Sequence, residues 1–142
     1  MPSRTSTAQW NGTLKGGKGT MRSASGGAEY PFSFNSRMEG GQGSSPEELL
    51  ASALAGCYSM ALSADLEKAG FDPRQVKTSA TANFSNASGK WTVDSMDLAV
   101  EASIPGIDDM KFQEIANGTK SACPVARALA SVKINVNAKL VE

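Results

Sequence analysis

From Val132 to Leu140 every second residue is apolar: Val132, Ile134, Val136, Ala138 and Leu140 alternate with Lys133, Asn135, Asn137 and Lys139. Successive side chains of a strand point to opposite faces, so this pattern predicts a half-buried closing strand with one wet face. Trp91–Ile104 shows the same period, with Met96, Leu98, Val100, Ala102 and Ile104 set against Asp97, Ala99, Glu101 and Ser103. Trp91 and Val93 fall on the opposite parity, which predicts a bulge near Asp94 and Ser95. Gln75–Phe84 predicts a further strand, with Ala87-Ser88-Gly89 as the intervening turn. The first half is rich in Gly and Ser, and its glycine clusters separate short strand candidates near Ser6–Trp10, Gly19–Ser23 and Phe32–Ser36.

A different pattern begins at Ser45. Ser45 is a candidate N-cap, Pro46 suits the first helical position, and Glu48 three residues on completes a capping box. Gly70 suits the position after the helix, and Pro73 follows it. Residues 46–69 therefore predict one helix of roughly 35 Å. Over its first half it is small and apolar nearly all round, so a sheet plus something else, or another subunit, has to bury it. Asp108–Lys120 predicts a second helix with Met110, Phe112, Ile115 and Ala116 on its apolar face. Pro124–Ala130 predicts a short third one with Cys123 near its N-cap. Strands paired around helices make the class α+β, and 142 residues suit a single domain, 1–142, with a core of its own.

Composition narrows the function classes. Formal charge is zero, the pI is about 6.3 and aromatics make up 6% of the chain. Nucleic-acid and membrane-surface binding, which need a basic excess or stacking platforms, are not expected. Met1–Trp10 is polar with no apolar h-region, and the Leu49–Leu62 stretch is bounded by Glu48 and Asp65, so neither a secretory signal nor a membrane span is expected. The expectation is a cytoplasmic protein.

The chemistry lies in two cysteines, Cys57 and Cys123, in a chain with no histidine. The cysteine–histidine arrangement is therefore absent, and any reactive thiolate needs another cation. Two thiols without histidine also fall short of a structural zinc site. Taken alone, Cys57 in a small-residue helix reads first as a packing residue. Cys123 has the better local argument, since a helix N-terminus acidifies a thiol and Arg127 stands four residues on. As a pair they do more: one thiolate can attack an electrophile and the other can resolve the product as a disulfide. Hydroperoxides suit such a site, because an arginine can favour both the thiolate and the leaving oxygen. Arg37, between a strand-like segment and a glycine-rich loop, is well placed to be presented by a scaffold.

Five ordered strings carry a family resemblance over almost the whole chain: Phe34-Asn35-Ser36-Arg37-Met38-Glu39-Gly40, Pro46-Glu47-Glu48-Leu49-Leu50, Ala55-Gly56-Cys57-Tyr58-Ser59-Met60-Ala61-Leu62, Pro105-Gly106-Ile107 and Ala122-Cys123-Pro124-Val125. They resemble the OsmC/Ohr family, the osmotically inducible protein C and organic hydroperoxide resistance proteins, with the OsmC branch nearer. Ala126 departs from the Ser that is common at that position in the family. The resemblance implies antiparallel sheets wrapped around a long central helix in an intertwined homodimer with its sites at the interface. It implies a thiol-dependent peroxidase that reduces organic hydroperoxides to alcohols, and hydrogen peroxide less well, in stress defence. Cys57 matches the peroxidatic cysteine and Cys123 the resolving one, reversing the local preference for Cys123. Arg37 and Glu47 match the residues that activate and position the first thiolate. No cofactor is implied beyond an external dithiol, with dihydrolipoyl groups one candidate.

Geometry adds a constraint to that assignment. Glu47 and Cys57 are ten residues apart, about 15 Å along one straight helix and too far for a hydrogen bond. Either the helix breaks or Glu47 comes from another subunit, and the all-round apolar helix favours the second. Glu47 is then expected to orient Arg37 through a carboxylate–guanidinium contact. Leu54 and Met38 are candidates for an apolar wall near the site. Two other classes stay open: a redox sensor that uses the same pair without turnover, and a structural stress protein with inert thiols.

Overall fold

The computed structural model describes residues 1–142. By backbone proximity they form two compact units, Met1–Leu49 and Leu50–Glu142.

In the first unit, β1 (Ser6–Asn11), β2 (Lys18–Ser23) and β3 (Glu29–Phe32) form an antiparallel sheet in the order β1-β2-β3. The register aligns Ala8 with Met21 and Tyr30, and Trp10 with Gly19 and Phe32. One face is thus apolar while the other carries Thr7, Gln9, Arg22 and Glu29. The Trp10 and Phe32 rings meet at 5.3 Å across Gly19. A Cβ at Gly19 would lie 2.5 Å from the Gln9 carbonyl and 2.8 Å from the Phe32 ring, so only glycine permits this approach. The apolar face is left half-exposed: Trp10, Met21, Tyr30 and Phe32 are each only partly covered.

The segment expected as a strand over Phe32–Ser36 is instead mostly a helical turn, α1 (Phe34–Met38). Ser33 caps it: its Oγ accepts from the Ser36 N–H at 3.0 Å, and Ser36 Oγ accepts from the Ser33 N–H at 2.9 Å. This reciprocal pair satisfies two backbone donors locally and outweighs the strand-like alternation of Phe32 and Phe34.

Helix α2 (Pro46–Lys68) starts and ends as its residues predict. Ser45 Oγ accepts from the Glu48 N–H at 3.1 Å. Gly70 sits at φ 92°, and Phe71 N–H reaches back to the Leu66 carbonyl at 3.0 Å, which is the Schellman closure. Against the sequence expectation, α2 is long and apolar enough to cross a bilayer by length and composition, with hydropathy 1.4 over its best window. Any window of 18 residues in α2 takes in Asp65 or both Glu47 and Glu48, too few charges to offset its apolar residues. Ala51, Leu54, Tyr58, Leu62 and Leu66 are nevertheless buried against protein. Leu49 is half-exposed, and Ala53, Gly56, Met60 and Ala64 are exposed, Met60 at 78%.

The second unit closes on β4 (Gln75–Ser85), β5 (Thr92–Ser103) and β6 (Lys133–Leu140). Asn83 pairs with Ser95 and Phe84 with Val93, leaving Asp94 as the extra residue of the expected bulge. β5 and β6 pair in parallel, a departure from the all-antiparallel expectation. Between them the chain crosses over through α3 (Asp109–Gly118), a 3₁₀ turn (Thr119–Ser121) and α4 (Pro124–Ala128), and a crossover of this kind returns a strand parallel to its neighbour. Met96, Leu98, Val100 and Ala102 join the buried face of α2, Phe112 and Ala116 in one core. The other face of the sheet is polar, with Asn83 and Asn135 each donating to Asp97 at 2.8 Å.

Candidate active site

Each unit brings together one pair of the four expected residues. In the first unit, α1 carries Arg37 in its last turn and α2 begins at Pro46 and Glu47. Arg37 Nε donates to both carboxylate oxygens of Glu47, at 2.9 and 3.1 Å, and Nη2 donates to Oε1 at 2.5 Å. The Nη1 donors take no part in this contact. Glu47 is 8% exposed and the Arg37 side chain 35%. Burial alone would push the Glu47 carboxyl up, but the hydrogen bonds and charge of Arg37 outweigh it and hold the group below the usual carboxylate range. The expected carboxylate–guanidinium contact is present, with the fork geometry that fixes an arginine's orientation.

In the second unit, α2 carries Cys57 and the segment after α3 carries Cys123. They are 66 positions apart in sequence, yet the fold brings the Cys57 thiol near enough to Cys123 to help raise its pKa. No disulfide joins them. Cys57 is half-buried and Cys123 fully buried, so Cys57 is the more reachable sulfur. Cys123 is the N-cap of α4, its Sγ taking the Ala126 N–H at 3.5 Å. The sequence expectation that this helix N-terminus acidifies Cys123 is overturned. Burial pushes the thiol up, the Cys57 thiol adds to this, and the N–H groups of Ala126 and Val125 offset it only in part. Five residues of helix do not outweigh the lost solvation. Arg127 is exposed, and its backbone N–H bonds to the Cys123 carbonyl at 2.9 Å.

Tyr58, next to Cys57, is fully buried and donates to the Ala116 carbonyl at 2.7 Å. Burial, with Cys123 and Asp65 nearby, holds its phenol far above the ordinary range, so it is a fixed donor rather than an acid. Leu54, expected as a wall of the site, is completely buried in the core and meets no solvent. Met38 is half-buried. Nowhere do three or more His, Cys, Asp or Glu side chains converge as metal ligands. A concavity of about 510 Å³ in the first unit, lined by Asn11, Lys18, Thr20, Phe32 and Ser33 among others, contains none of the four residues.

The sequence pattern of the OsmC-like proteins matches residues 39–137, which include Glu47 and both cysteines. The chain belongs to the OsmC-like protein family. Among its OsmC relatives, the peroxiredoxin OsmC of Escherichia coli K12 is 40% identical over 123 residues, 86% of each chain. The fold is similar to that of an OsmC like protein from Mycoplasma pneumoniae, with a TM-score of 0.78, 20% identity and 99% of each chain covered. It is also similar to the organic hydroperoxide resistance protein OhrB of Bacillus subtilis, with a TM-score of 0.67, 19% identity and 95% and 98% of the two chains covered. OsmC and Ohr folds are thus both matched, as the resemblance implies.

The contact between Asp65 and Thr119 carries no sequence signal. Asp65 reads as a charge ending an apolar stretch and Thr119 as an ordinary helix residue. Only the fold shows that they meet, with Thr119 Oγ1 2.9 Å from Asp65 Oδ2.

Proposed function

We propose that this protein is a thiol-dependent peroxidase that reduces organic hydroperoxides, and hydrogen peroxide less well, to the alcohol or water. Two free thiols brought near one another by the fold, in a chain without histidine, carry this reading. The Cys57 thiolate attacks the distal peroxide oxygen: an S–O bond forms, the O–O bond breaks and the alcohol leaves. Cys123 then condenses with the sulfenic acid, forming the disulfide and releasing water. An external dithiol, with dihydrolipoyl groups one candidate, returns both cysteines to thiols by exchange. No cofactor takes part in this cycle. The roles in it of Cys57, Cys123, Arg37 and Glu47 are part of the proposal.

The working unit is a homodimer, and the two compact units of each chain act in it as one domain, 1–142. Helix α2 is unbroken from Pro46 to Lys68, so Glu47 and Cys57 of one chain stay about 15 Å apart along it. Arg37 and Glu47 of the partner subunit therefore serve each Cys57. The exposed stripe of Ala53, Gly56, Met60 and Ala64 on α2 and the half-exposed apolar face of β1–β3 support this, because both need cover that one chain does not give. At the site Glu47 fixes the guanidinium, and the donors it leaves unused face the reacting sulfur and the leaving oxygen. Kept reduced, the thiols fit the cytoplasm.

The deciding experiment is steady-state consumption of cumene hydroperoxide and hydrogen peroxide with a dithiol in excess. Many turnovers, faster with the organic peroxide, are expected. Consumption that stops at one equivalent per site would make the pair a redox switch.

A further inference from the structure

Thr119 is one of three buried polar residues, with Glu47 and Ser103, and it is completely buried. Its hydroxyl lies 2.9 Å from Asp65 Oδ2 on α2 and 2.9 Å from the Ile115 carbonyl on α3, two acceptors for one proton. The Thr119 carbonyl accepts the backbone N–H of Cys123 at 3.1 Å and that of Ala122 at 3.0 Å. A short relay thus runs from the helix of Cys57 to the backbone of Cys123: Asp65 carboxylate, Thr119 hydroxyl, Thr119 carbonyl, Cys123 amide. Two further ties hold the same segment. Tyr58 bonds to Ala116 at 2.7 Å, and Lys120 Nζ donates to the Ile134 carbonyl of β6 at 3.3 Å. A buried hydroxyl costs free energy unless it is bonded, and here its bonds set where the second thiol stands.

We infer that Asp65 and Thr119 are positioning residues for Cys123, holding its thiol against Cys57 so that disulfide formation outruns over-oxidation. The inference rests on the peroxidase reading above. Once Cys57 is a sulfenic acid, two reactions compete for it. In one, the Cys123 sulfur attacks: the S–S bond forms, the S–O bond breaks, and the hydroxyl leaves with the Cys123 proton as water. In the other, a second hydroperoxide oxidises the sulfenic acid to a sulfinic acid and is itself reduced to alcohol. The first depends on where Cys123 stands and the second does not. The initial oxidation of Cys57 does not involve Cys123 and serves as an internal reference.

The test is intact-mass measurement of Cys57 sulfinic acid per turnover, during cumene hydroperoxide reduction with a dithiol. Thr119→Val keeps the shape and removes the hydroxyl, and Asp65→Ala removes the acceptor on α2 and leaves the Ile115 carbonyl. Each should raise the sulfinic fraction about fivefold, the rate factor of one ordinary hydrogen bond. The double variant should match the singles, since one relay is cut in each, and Thr119→Ser should return the wild-type value. The Asp65 side chain is 24% exposed, so Asp65→Ala carries the test if Thr119→Val does not fold. Turnover by the wild type with an unchanged sulfinic fraction in the folded variants overturns the inference alone. So does a first oxidation that slows in proportion, or a Thr119→Ser variant that behaves like Thr119→Val. A wild type that consumes no hydroperoxide overturns the peroxidase reading and this inference with it.

Discussion

Replacing Glu47 by Gln removes a charge at nearly constant size, and the surroundings set what this costs. Glu47 is 8% exposed and accepts from two nitrogens of Arg37. Hydrogen bonds to charged groups contribute about 1.5–3 kcal/mol each. The Arg37 side chain is 35% exposed, so water takes over part of what Glu47 gave it. The net loss at pH 7 should be about 1–2 kcal/mol, read as a fall in the urea midpoint at unchanged slope. The pH dependence has a definite sign. Arg37 holds the folded Glu47 carboxyl below the usual range, so its stabilisation is complete above the unfolded value of about 4.3 and is lost as pH falls through the lower folded value. The gap between wild type and Glu47→Gln should thus be constant from pH 8 to about 5.5 and close below about 4. If Glu47 acts on the chemistry through Arg37, Glu47→Gln should lower kcat/KM for cumene hydroperoxide roughly tenfold in the wild type, and hardly at all beside Arg37→Ala. A stability gap equal at pH 3 and pH 7, or additive losses in the double variant, would refute the reasoning.

Three other perturbations test separate parts of the structure. Tyr58→Phe strands the buried Ala116 carbonyl and should cost about 1–2 kcal/mol, a fall in Tm of about 5 °C by calorimetry. Gly19→Ala puts a methyl group 2.5 Å from the Gln9 carbonyl and should separate β1 from β2, seen as faster amide exchange in those strands. Met60→Glu places a charge on the exposed stripe of α2. It should halve the mass seen by analytical ultracentrifugation at micromolar protein and abolish turnover, whereas a dimer mass unchanged in the variant would remove the stripe from the interface, and a monomer mass in the wild type would remove the dimer.

What was legible in the sequence is what depends on local pattern. Ser45, Pro46 and Gly70 bracket α2 because caps and left-handed glycines are local devices, and the parity change at Val93 locates the bulge at Asp94. Ser33 caps α1 as Ser45 caps α2, but in a segment whose aromatic alternation suggests a strand, and the cap prevailed. The parallel pairing of β5 with β6 is a consequence of the crossover between them, and strand periodicity carries no direction. At the site, the family resemblance pointed to the two thiols, Arg37 and Glu47 as candidates, and of these the fold pairs Arg37 with Glu47 as expected. The raised Cys123 thiol and the Asp65–Thr119 contact depend on burial and on residues 54 positions apart, which no local pattern encodes.

The most direct test of the central claim is intact-mass spectrometry of the wild type, Cys57→Ser and Cys123→Ser after one equivalent of cumene hydroperoxide without reductant. The wild type should lose two mass units per chain as the Cys57–Cys123 disulfide forms. Cys123→Ser should gain one oxygen at Cys57 and stop there, and Cys57→Ser should remain unchanged with the peroxide unconsumed. Oxidation of Cys123 in the Cys57→Ser variant at the wild-type rate would contradict the account, because the fully buried thiol would then be the one that meets the peroxide.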